Sequence, residues 1–521
     1  MRCAGKAVSR DVRLVRALVS DFFYPGVGGV EGHMLAIGRE LVARGHTVIV
    51  ITHAYAPDRT GIRHLSVSSP TTSEPQVRTL KIYHLPLLPV PGTQATLPQF
   101  FASHPLIRTI LLRERVQLLH AHQALSSLAH EALLHARCLP LHAGGQQVRA
   151  VFTDHSLFDL QGDAASVLTN RLLRFALGEA DRVVCVSYTG KENTSLRARL
   201  EGEKVAVIPN AVDAGHFYPD VTTTRSRERG SRITIVILSR LTHRKGVSLL
   251  TRLIPSICRR HPDVDFLIGG DGPGRVVLEQ MREKMNTVAL TTEDTALPHQ
   301  LERVRLVGNV LGPTAVREHL QSGQLFLSAS LTEAFGTTLV EAAACGLLCV
   351  ATPVGGVPEV LPQPGRMILA ERAEWRSLRD ALEVGLERVR AQQRGEEKEM
   401  VEDEEDDEAS LRSTYTWPRV VNRLERVYLE ALAQPPVTTL DRLKRVWEKD
   451  ADARGGSFGA LVFCIVLATD VVFSCFLEWF WPGEEIEKVW SDEGSGEQES
   501  ENEGSEEGQA EVESEDDYGD S

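Results

Sequence analysis

The feature that most constrains this chain is an alternation of short apolar runs with longer helical runs, which occurs twice. In the first half, runs such as "RLVRALVSDFF", "TVIVITHA" and "RVVCVS" are each followed by a loop and helical residues. The second half repeats this order from "RITIVILSR" through "LFLSAS" to "LLCVAT". Such βαβ alternation requires parallel sheets covered by helices. We therefore predict an α/β fold with two Rossmann-like domains that bind ligands at the carboxyl ends of their strands.

A polar segment separates the two repeats. The stretch "DAGHFYPDVTTTRSRERGS" is rich in turn-forming residues and has no apolar period, as is typical of a linker. The chain is thereby divided into two domains and four later segments. The predicted units are residues 1–214 and 215–393 (the two domains), 394–410 (an acidic disordered insertion), 411–456 (helices and a basic segment), 457–481 (a transmembrane helix) and 482–521 (an acidic disordered tail).

The net charge of −14 is concentrated in two acidic segments. Glu484–Asp520 holds 17 acidic residues against one lysine, and Glu396–Glu408 holds 10 against one lysine. The rest of the chain therefore carries +11, which suits an anionic substrate or an anionic membrane surface. We predict no nucleic-acid partner. The 8 cysteines include no C-x-x-C pair, which indicates free thiols in a reducing compartment.

The segment Phe458–Phe480 is long and apolar enough to cross a membrane. As a helix, its 23 residues would extend roughly 34 Å, against ~30 Å for the hydrocarbon core of a bilayer. The flank that follows it is acidic, whereas basic residues precede it: Arg442, Lys444, Arg445, Lys449 and Arg454. The positive-inside rule therefore predicts a single-pass membrane protein with a cytoplasmic body and a lumenal C-terminal tail.

Asp470 lies near the middle of this apolar segment. A charge there costs about 2.5–3.5 kcal/mol on insertion scales, so we expect Asp470 to be protonated or paired with a neighbouring helix. A partner subunit could supply that helix. The alternative is a buried helix of a soluble body with Asp470 on its wet side. The length, the flanks and the position outside the α/β pattern favour the membrane.

Two glutamates mark the predicted site in the second domain. Glu333 follows the apolar run "LFLSAS", and Glu341 lies in the helical run "TTLVEAAACG". The helix should begin near Gly336 and Thr337, so that its first N–H groups point at the end of the strand, where an anion binds well. Carboxylates beside such a site suit hydroxyl-rich groups such as a ribose and a second sugar. The alternative is that the two glutamates are ordinary acidic residues on a solvated helix face, which is the better interpretation of such a spacing when it occurs alone.

Cations, glycines and a histidine supply the other candidates. Arg240 and Lys245 follow a strand in "SRLTHRKG" and could converge on a diphosphate, unless they are two surface cations. Gly28 and Gly29 lie in "PGVGGVEGH", which lacks a G-x-G-x-x-G pattern but lets a ligand approach a helix N-terminus. His155 ends a first-domain strand in "VFTDHS", on the side that faces the cleft.

Other patterns are weaker or excluded. Asp263 and Asp265 invite a metal site, but they precede a strand and should lie at the wrong end of the sheet. His120 and His122 in "HAH" can equally be core histidines. No nucleophile elbow is present, so a hydrolase of that type has no nucleophile. We predict neither a cofactor nor a metal.

Taken together, these motifs resemble a known family. "EAFGTTLVEAAACG" is similar to the E-x7-E signature of retaining glycosyltransferases with two facing Rossmann-like domains, the GT-B fold. "GGVEGH", "SRLTHRKG", "GGDGPG" and "VGGVPEV" occur in that family's order. The stretches "VSDFFYPGVGGVEGH", "VFTDHSLF" and "SLTEAFG" resemble more narrowly the catalytic subunits of the phosphatidylinositol N-acetylglucosaminyltransferases, which begin GPI-anchor synthesis. The likeness covers about Val19–Pro362, "YTWPRV" and the late apolar segment.

The resemblance implies transfer of N-acetylglucosamine from UDP-GlcNAc to phosphatidylinositol, with retention at the anomeric carbon. It also implies the endoplasmic reticulum membrane as the location and other membrane subunits as partners. Residues 1–214 would face the acceptor, and residues 215–393 would hold the nucleotide sugar.

The resemblance also implies roles for the candidate residues. Glu341 would bind the ribose hydroxyls, and Glu333 would bind hydroxyls of the donor sugar. Arg240 and Lys245 would neutralise the departing diphosphate, so that no metal is required. The remaining contacts with donor or acceptor would come from Gly28, Gly29, His155, Gly336 and Thr337.

Three alternatives stay open at this point. One is a related membrane-bound transferase that uses another nucleotide sugar or another lipid, because the E-x7-E pattern does not specify the donor. Another is a non-catalytic scaffold subunit that keeps the fold, although the presence of Glu341, Arg240 and Lys245 argues against it. A soluble polysaccharide synthase would leave the apolar segment without a purpose.

Overall fold

The fold is taken from a computed structural model of the 521-residue chain. The structure describes residues 14–486, except for residues 27, 56–58, 69–76, 92, 140–146, 159–163, 214, 220–231, 292–302, 362–364, 395–413 and 452–455. Most of the predicted acidic insertion and of the acidic tail therefore lies outside the described residues, and so does the predicted boundary residue 214. The proposed domain limits stay predictions.

The first half of the chain forms an eight-stranded sheet. Its strands are β1 (Val15–Val19), β2 (Thr47–His53), β3 (Gly61–Ser68), β4 (Val77–Leu85), β5 (Leu118–His122), β6 (Arg149–Asp154), β7 (Arg182–Cys185) and β8 (Val205–Val207). Their order in the sheet is β3-β4-β2-β1-β5-β6-β7-β8, and all pairs are parallel except β3 with β4. The β3–β4 hairpin was not predicted, because β3 is largely exposed and forms no continuous apolar run.

The second half forms a six-stranded parallel sheet. Its strands are β9 (Ile233–Leu238), β10 (Val264–Gly269), β11 (Val304–Gly308), β12 (Leu325–Ser328), β13 (Leu348–Ala351) and β14 (Met367–Leu369). The order β11-β10-β9-β12-β13-β14 places the first strand of this half in the interior of the sheet. The predicted α/β class with two Rossmann-like parallel sheets is thus confirmed.

Helices cover these sheets because their apolar residues recur every three or four positions. In the helix Val247–Arg260, for example, Leu250, Leu253, Ile254 and Ile257 are all buried. The helices are α1 (Gly29–Ala43), α2 (Phe100–Arg113), α3 (Ser127–Ala136), α4 (Ala164–Gly178), α5 (Tyr188–Ala198), α6 (Val247–Arg260), α7 (Arg275–Thr291), α8 (Pro313–Gln321), α9 (Thr337–Ala344), α10 (Val357–Val360), α11 (Trp375–Arg394), α12 (Trp417–Leu432), α13 (Thr439–Ala451) and α14 (Gly456–Phe480).

After the second sheet is complete, the chain returns to the first domain through α12. Val420, Leu424, Val427 and Ala431 form an apolar stripe along this helix, and all four are buried. It joins the core that α1 and the first sheet share. Because this return places the segment after α12 beside the first domain, the apolar helix α14 is brought there as well.

The candidate membrane helix lies against the first domain. Phe458–Phe480 comprises 23 residues, with a mean hydropathy of 2.5 over its most apolar 18 residues, and within the described residues it alone is long and apolar enough to span a bilayer. Its Asp470 is fully buried, with Oδ1 2.7 Å from His135 Nδ1 and 2.9 Å from His104 Nδ1. The expected pairing with a neighbouring helix is therefore made within this chain, by α2 and α3, and does not need another subunit.

Both ends of α14 also contact the first domain. Near its start, the rings of Phe463 and Phe175 stack with centroids 4.6 Å apart. Near its end, Arg108 donates to the Glu478 carboxylate at 2.5 Å and to the Trp481 carbonyl at 2.8 Å. The opposite face of α14 exposes large apolar side chains, among them Leu461, Ile465, Val472 and Phe476. One face of the helix is thus held by protein, and the other is suited to lipid.

A cross-linking experiment tests this arrangement. The rings of Phe101 and Phe473 lie with centroids 5.2 Å apart. We expect a Phe101→Cys, Phe473→Cys variant in native membranes to be joined efficiently by a short bismaleimide, because α14 stays docked on α2. A Val384→Cys, Phe473→Cys variant is the matched control, since Val384 is exposed on α11 of the second domain. Equal cross-linking of the two pairs, or none in either, would show that α14 leaves the body.

Candidate active site

A small pocket opens at the carboxyl edge of the second sheet. It lies where β9 and β12 end, and the loops after these strands form its polar wall. The polar residues that line it are Ser239, Lys245, Ser328, Ser330, Glu333 and Thr338. A pocket at this edge of a doubly wound sheet is the usual ligand position.

Lys245 and Glu333 face each other in this pocket and form an ion pair. Both side chains are partly covered, at 28% and 18% exposure, so each charge lowers the cost of holding the other away from water. Ser330 Oγ lies 3.4 Å from the same Glu333 oxygen. In the ligand-free chain the lysine and the carboxylate are therefore each other's partners, and a ligand that binds either must replace that contact.

Glu341 lies on α9, four residues after Thr337, and is not among the residues that line the pocket. Burial raises the pKa of this carboxyl to about 7. Within the part of the chain that the structure describes, no hydrogen bond or ion pair to the Glu341 side chain offsets that cost. A carboxylate held in this state is suited to accept hydrogen bonds from ligand hydroxyls, which would stabilise its ionised form.

The helix α9 begins at Thr337, as the sequence predicts, after Gly336 in the left-handed conformation (φ 93°). No side chain caps this N-terminus. Gly336 lines the pocket, and Asn210 of the first domain approaches the Thr337 hydroxyl at 3.5 Å. The positive end of α9 therefore points at the pocket, where it favours an anion.

Glycines position the loop that carries Lys245. Gly246 has φ 74°, and a Cβ atom there would lie 1.8 Å from the carbonyl oxygen of Ala329. A Cβ atom on Gly270 would lie 1.9 Å from the carbonyl oxygen of Ser239. The loops after β9, β10 and β12 thus pack backbone against backbone. The glycines of "GGDGPG" act here as packing residues beside the site.

Gly355 and Gly356 hold the loop that carries Glu333 in the same way. Cβ atoms on them would lie 2.0 Å from the Glu333 carbonyl and 2.2 Å from the Ala334 carbonyl. The same segment connects the domains, because Glu359 accepts hydrogen bonds from the backbone N–H groups of Tyr188 (2.6 Å) and Thr189 (2.8 Å) at the start of α5. The "VGGVPEV" motif therefore fixes both the pocket wall and the position of the first domain.

Arg240 takes a different position from Lys245. Its side chain is exposed, and its charge acts across the cleft on Glu31, whose pKa burial raises and Arg240 lowers. Lys245 lines the pocket, whereas Arg240 is not among the residues that line it. Arg240 lies near Glu31 of the first domain, at the entrance between the domains. That the two cations converge on one diphosphate stays a prediction.

The two candidate glycines of the first domain, Gly28 and Gly29, differ in the space that surrounds them. A Cβ atom on Gly28 would lie 2.3 Å from Glu31 Oε2, whereas one on Gly29 would meet nothing within 4 Å. Gly28 therefore gives room to the chain's own carboxylate, which lies against the N-terminal N–H groups of α1. Gly29 is exposed and keeps the adjoining space open.

His155 belongs to a histidine cluster under the cleft. Its Nε2 lies 3.2 Å from His122 Nδ1, and its ring centroid lies 4.6 Å from that of His33. Burial lowers the pKa of His33 to about 4 and places the pKa values of His122 and His155 well below the usual range. These imidazoles are thus neutral near pH 7 and can exchange hydrogen bonds without adding charge.

The same three histidines could also hold a metal ion. Their ligand nitrogens lie within 4.8 Å of one another. The short contact between His122 and His155 and the stacking of their rings are explained by a hydrogen bond between neutral imidazoles. We therefore keep the interpretation that no metal is required, as a prediction.

Several residues of this region were not singled out from the sequence. Glu31 and His33 are buried on a helix whose other buried residues are mainly apolar, and Asn210 is also buried. For Glu31 and His33, the signal in the sequence was a polar residue at a core position of α1, inside the "GGVEGH" motif.

Asp263 and Asp265 were excluded above as metal ligands. In the structure they form ion pairs with Arg390 and Arg232, respectively.

The close approach of Gly246 can be tested by a single methyl group. Gly246→Ala should lower the free energy of unfolding by about 2–4 kcal/mol, because the new Cβ both strains the backbone and collides with Ala329. Gly346 is a matched control, because it ends α9 with φ 84° and a Cβ atom there would meet only ordinary van der Waals contacts, at 3.4 Å from Pro219. Gly346→Ala should cost only about 1 kcal/mol of strain. Denaturant unfolding of the purified chain measures both, and equal costs would contradict the packing described.

The raised pKa of Glu341 makes a prediction about stability and pH. In the unfolded chain this carboxyl ionises near its ordinary pKa of 4.5, and in the folded chain it ionises near 7, so folding is penalised increasingly as pH rises through that window. Glu341→Gln removes the penalty. It should raise the free energy of unfolding by about 1–2 kcal/mol at pH 8 and change it little at pH 4. A Glu318→Gln variant on exposed α8 is the control, and an equal or absent pH dependence would contradict the buried state of Glu341.

The chain matches two sequence families of known proteins. Residues 27–216 match Glycosyltransferase Family 4, and residues 232–387 match Glycosyl transferases group 1. Among solved structures, sucrose-phosphate synthase from Thermosynechococcus elongatus has a TM-score of 0.61 at 17% identity, covering 81% of this chain and 100% of that one. Anabaena HepE in complex with UDP-glucose has a TM-score of 0.55 at 16% identity, covering 80% and 100%. These likenesses show the GT-B fold.

Curated relatives are much more similar in sequence. The gpi3 subunit of phosphatidylinositol N-acetylglucosaminyltransferase from Schizosaccharomyces pombe is 39% identical over 475 residues, which cover 90% of this chain and 91% of the relative. A human subunit of the same transferase is 40% identical over 471 residues, which cover 90% and 86%. At this identity and coverage, the chain belongs to the family of these phosphatidylinositol N-acetylglucosaminyltransferase subunits.

Proposed function

We propose that this chain transfers N-acetylglucosamine from UDP-GlcNAc to phosphatidylinositol, with retention at the anomeric carbon, in the first step of GPI-anchor synthesis. The names of its relatives support the acceptor and the sugar. The complex of the structurally similar HepE with UDP-glucose supports a uridine nucleotide as the carrier.

The observation that carries the proposal is the arrangement of three features around one pocket. Lys245 and Glu333 line the pocket with a cation and a carboxylate, the uncapped N-terminus of α9 supplies N–H groups, and Glu341 supplies a second carboxylate one turn further along α9. A nucleoside diphosphate sugar has the complementary groups: a diphosphate for the positive elements and two sets of hydroxyls for the carboxylates.

In the proposed complex, the diphosphate takes Lys245 from Glu333. The released carboxylate then accepts hydrogen bonds from hydroxyls of N-acetylglucosamine, and Glu341 accepts them from the ribose. Binding thus exchanges one ion pair for two sets of contacts and leaves no carboxylate unpaired. Arg240, at the entrance, would turn from Glu31 toward the bound nucleotide.

The transfer itself needs stabilisation of the leaving group. The bond between the anomeric carbon and the diphosphate oxygen breaks, its electron pair stays on UDP, and a hydroxyl of inositol bonds to the same face of the carbon. The hydroxyl proton passes to the departing phosphate oxygen. Lys245 and the N–H groups of Gly336 and Thr337 are fixed where negative charge grows, which is the main catalytic contribution available here. His155, a neutral imidazole, would hydrogen-bond the donor sugar.

Gly28 and Gly29 would admit the ligands from the side of the first domain. Gly29 keeps open the space beside the N-terminus of α1, whereas Gly28 allows the Glu31 carboxylate to lie there in the ligand-free chain. We propose that an incoming phosphate displaces Glu31 from this end. The electrostatic attraction between Arg240 and Glu31 would couple that displacement to donor binding.

We propose the endoplasmic reticulum membrane as the site of action, with the body on the cytoplasmic side and the tail after α14 lumenal. Because α2 and α3 hold α14, their contacting faces would enter the membrane with it. The apolar helix and the basic residues before it support membrane attachment and this orientation. The word "subunit" in the names of the relatives supports a complex with other membrane proteins.

Sugar transfer in membranes tests the proposal. Membranes of cells that lack their own enzyme of this kind, but express this chain with its native partners, are given labelled UDP-GlcNAc. The expected product is a labelled lipid that a phosphatidylinositol-specific phospholipase cleaves. Labelling from another nucleotide sugar instead, or of another lipid, would replace the proposed substrates by those of a related transferase.

Lys245→Ala should lower the transfer rate by at least about 100-fold, because it removes the main fixed cation from the departing diphosphate. Lys284→Ala is the matched control, since Lys284 is exposed on α7 of the same domain, and its rate should equal that of the wild type. Both variants should stay in the membrane fraction. Wild-type turnover by Lys245→Ala would refute the site.

A further inference from the structure

Two histidines and an aspartate meet where α2, α3 and α14 are in contact. His104 lies on α2, His135 on α3 and Asp470 on α14, and their side chains are fully buried. One ligand atom of each residue, an imidazole nitrogen or a carboxylate oxygen, lies within 4.8 Å of those of the other two. The contacts that hold α14 against the first domain therefore form a set of metal-binding groups.

His104 forms no hydrogen bond with any residue that the structure describes. Its Nδ1 lies 2.9 Å from Asp470 Oδ1, but the two groups are not aligned as a hydrogen bond requires, and its Nε2 has no partner. Burial of an imidazole without hydrogen bonds costs free energy. A metal ion bound through the lone pair of Nδ1 would offset that cost and would lie beside the carboxylate.

The contacts of His135 require an extra proton if no metal is bound. Its Nδ1 lies 2.7 Å from Asp470 Oδ1, to which it must then donate. Its Nε2 lies 3.2 Å from Ser103 Oγ, and the Ser103 hydroxyl also faces Glu131 Oε2. Because a neutral imidazole has one N–H group and a serine has one hydroxyl proton, His135 Nε2 and Glu131 would compete for that proton. A second proton on His135, or one on Glu131, is needed to resolve the conflict.

A metal ion on Nδ1 of His135 resolves the same conflict without an extra proton. The neutral imidazole then carries its proton on Nε2, which donates to Ser103, and the Ser103 hydroxyl donates to Glu131. Ligating histidines usually have such a chain from the second ring nitrogen to a carboxylate. Ser103 and Glu131 are therefore placed as the outer partners of a metal ligand.

The charge of the cluster also favours a cation. Asp470 is a buried carboxylate, and imidazoles in their neutral form do not cancel its charge. Cys138, two residues after α3, has its Sγ 3.2 Å from Asp470 Oδ2 and 3.2 Å from Arg442 Nη1. Arg442 itself pairs with Glu179 at 2.7 Å. A divalent cation bound by the Asp470 carboxylate and a Cys138 thiolate would make the centre neutral.

The ligand types point to zinc. Two imidazoles, a carboxylate and a thiolate form a tetrahedral set that Zn²⁺ binds well. Nitrogen and oxygen ligands of a tetrahedral zinc lie roughly 3.4 Å apart. The distances of 2.7 Å and 2.9 Å from Asp470 Oδ1 to the two Nδ1 atoms therefore require side-chain shifts of less than about 1 Å. The histidine cluster under the cleft differs, because it includes no carboxylate.

We propose that His104, His135, Asp470 and Cys138 bind one Zn²⁺ ion, which holds α14 on α2 and α3. None of these four is among the described residues that line the candidate active site. The ion is therefore structural, and the prediction that sugar transfer requires no metal is unchanged. The inference depends on the packing of α14 and not on the proposed function.

The test uses the full-length chain without a histidine tag, purified in detergent micelles and treated with a chelator that is then removed. The chain is titrated with Zn²⁺ in competition with a fluorescent zinc indicator of known affinity. We expect one tightly bound Zn²⁺ per chain and a higher melting temperature with Zn²⁺ than in chelator, because the ion binds the folded arrangement. A chain that binds no Zn²⁺ more tightly than about 1 μM would overturn the proposal.

Histidine variants locate the ion. His104→Phe should weaken Zn²⁺ binding at least about 100-fold. The metal-free variant should stay folded, because His104 has no hydrogen bond among the described residues to lose. His130→Phe is the matched control: His130 lies on α3, its Nε2 also lacks a partner within the described part of the chain, and it belongs to neither metal-suited cluster found there. This control should bind Zn²⁺ as the wild type does.

Cobalt gives a second readout that does not depend on the histidine variants. The chain loaded with Co²⁺ should show the absorption of a tetrahedral ion together with a thiolate-to-cobalt charge-transfer band. Cys138→Ser should remove that band, whereas Cys258→Ser, which changes a buried free cysteine of the second domain, should keep it. A band that Cys138→Ser leaves unchanged would overturn the proposed ligand set.

The rival metal position is the histidine cluster under the cleft. Zn²⁺ binding that His122→Phe abolishes and His104→Phe leaves intact would place the ion there and overturn this inference. Sugar transfer is measured on the same preparations. A chain that binds Zn²⁺ through His104 and Cys138 but transfers no sugar would contradict the proposed function and leave this inference intact. A chain that transfers the sugar but binds no Zn²⁺ would do the reverse.

Discussion

The candidate site depends on the close approach of backbone segments at the carboxyl edge of the second sheet. The loops after β9, β10, β12 and β13 touch through main-chain atoms, at Gly246, Gly270, Gly355 and Gly356, where a side chain has no room. This packing fixes the backbone on both sides of Lys245 and Glu333. It places their side chains within ion-pair distance and turns the uncapped start of α9 toward the same pocket.

The electrostatics of the pocket follow from that geometry. Lys245 and Glu333 are partly buried, and their ion pair lowers the free-energy cost of removing both charges from water. Glu341 has no partner among the described residues, and burial raises its pKa. A site of this kind stores unfavourable energy that a ligand with hydroxyls and a diphosphate can release. The same logic applies across the cleft, where Glu31 lies against the start of α1 and Arg240 faces it. In both domains, the chain's own carboxylates hold positions that suit a ligand.

Much of the fold, and the local structure around Glu333 and Glu341, could be predicted from the sequence because these features depend on neighbouring residues. The strand before Glu333, the helix that begins at Thr337 and the glycine that precedes it are signalled within 15 residues of sequence, and the α/β alternation predicts the two sheets. The proposed roles of these residues remain predictions. What the sequence could not show are contacts between distant segments. Arg240 and Lys245 were expected to converge on a diphosphate, which stays a prediction, but the effect of the Arg240 charge on Glu31 of the other domain could not be foreseen.

The docking of α14 is a second case of this limit. Asp470 was expected to be protonated or paired with a neighbouring helix, which a partner subunit could supply. Its partners His104 and His135 lie more than 300 positions earlier in the same chain. Neither histidine carries a local signal, because each occupies a buried position of an ordinary amphipathic helix. The exposed hairpin strand β3 was missed for the opposite reason, since it buries too little to form an apolar run.

The most direct measurement of the central claim is a structure of the full-length chain with bound UDP-GlcNAc. The account predicts the diphosphate on Lys245 and the N–H groups of Gly336 and Thr337, the ribose hydroxyls on Glu341, and the Lys245–Glu333 ion pair broken in favour of the sugar. A nucleotide bound elsewhere, or bound here with that ion pair intact, would contradict it.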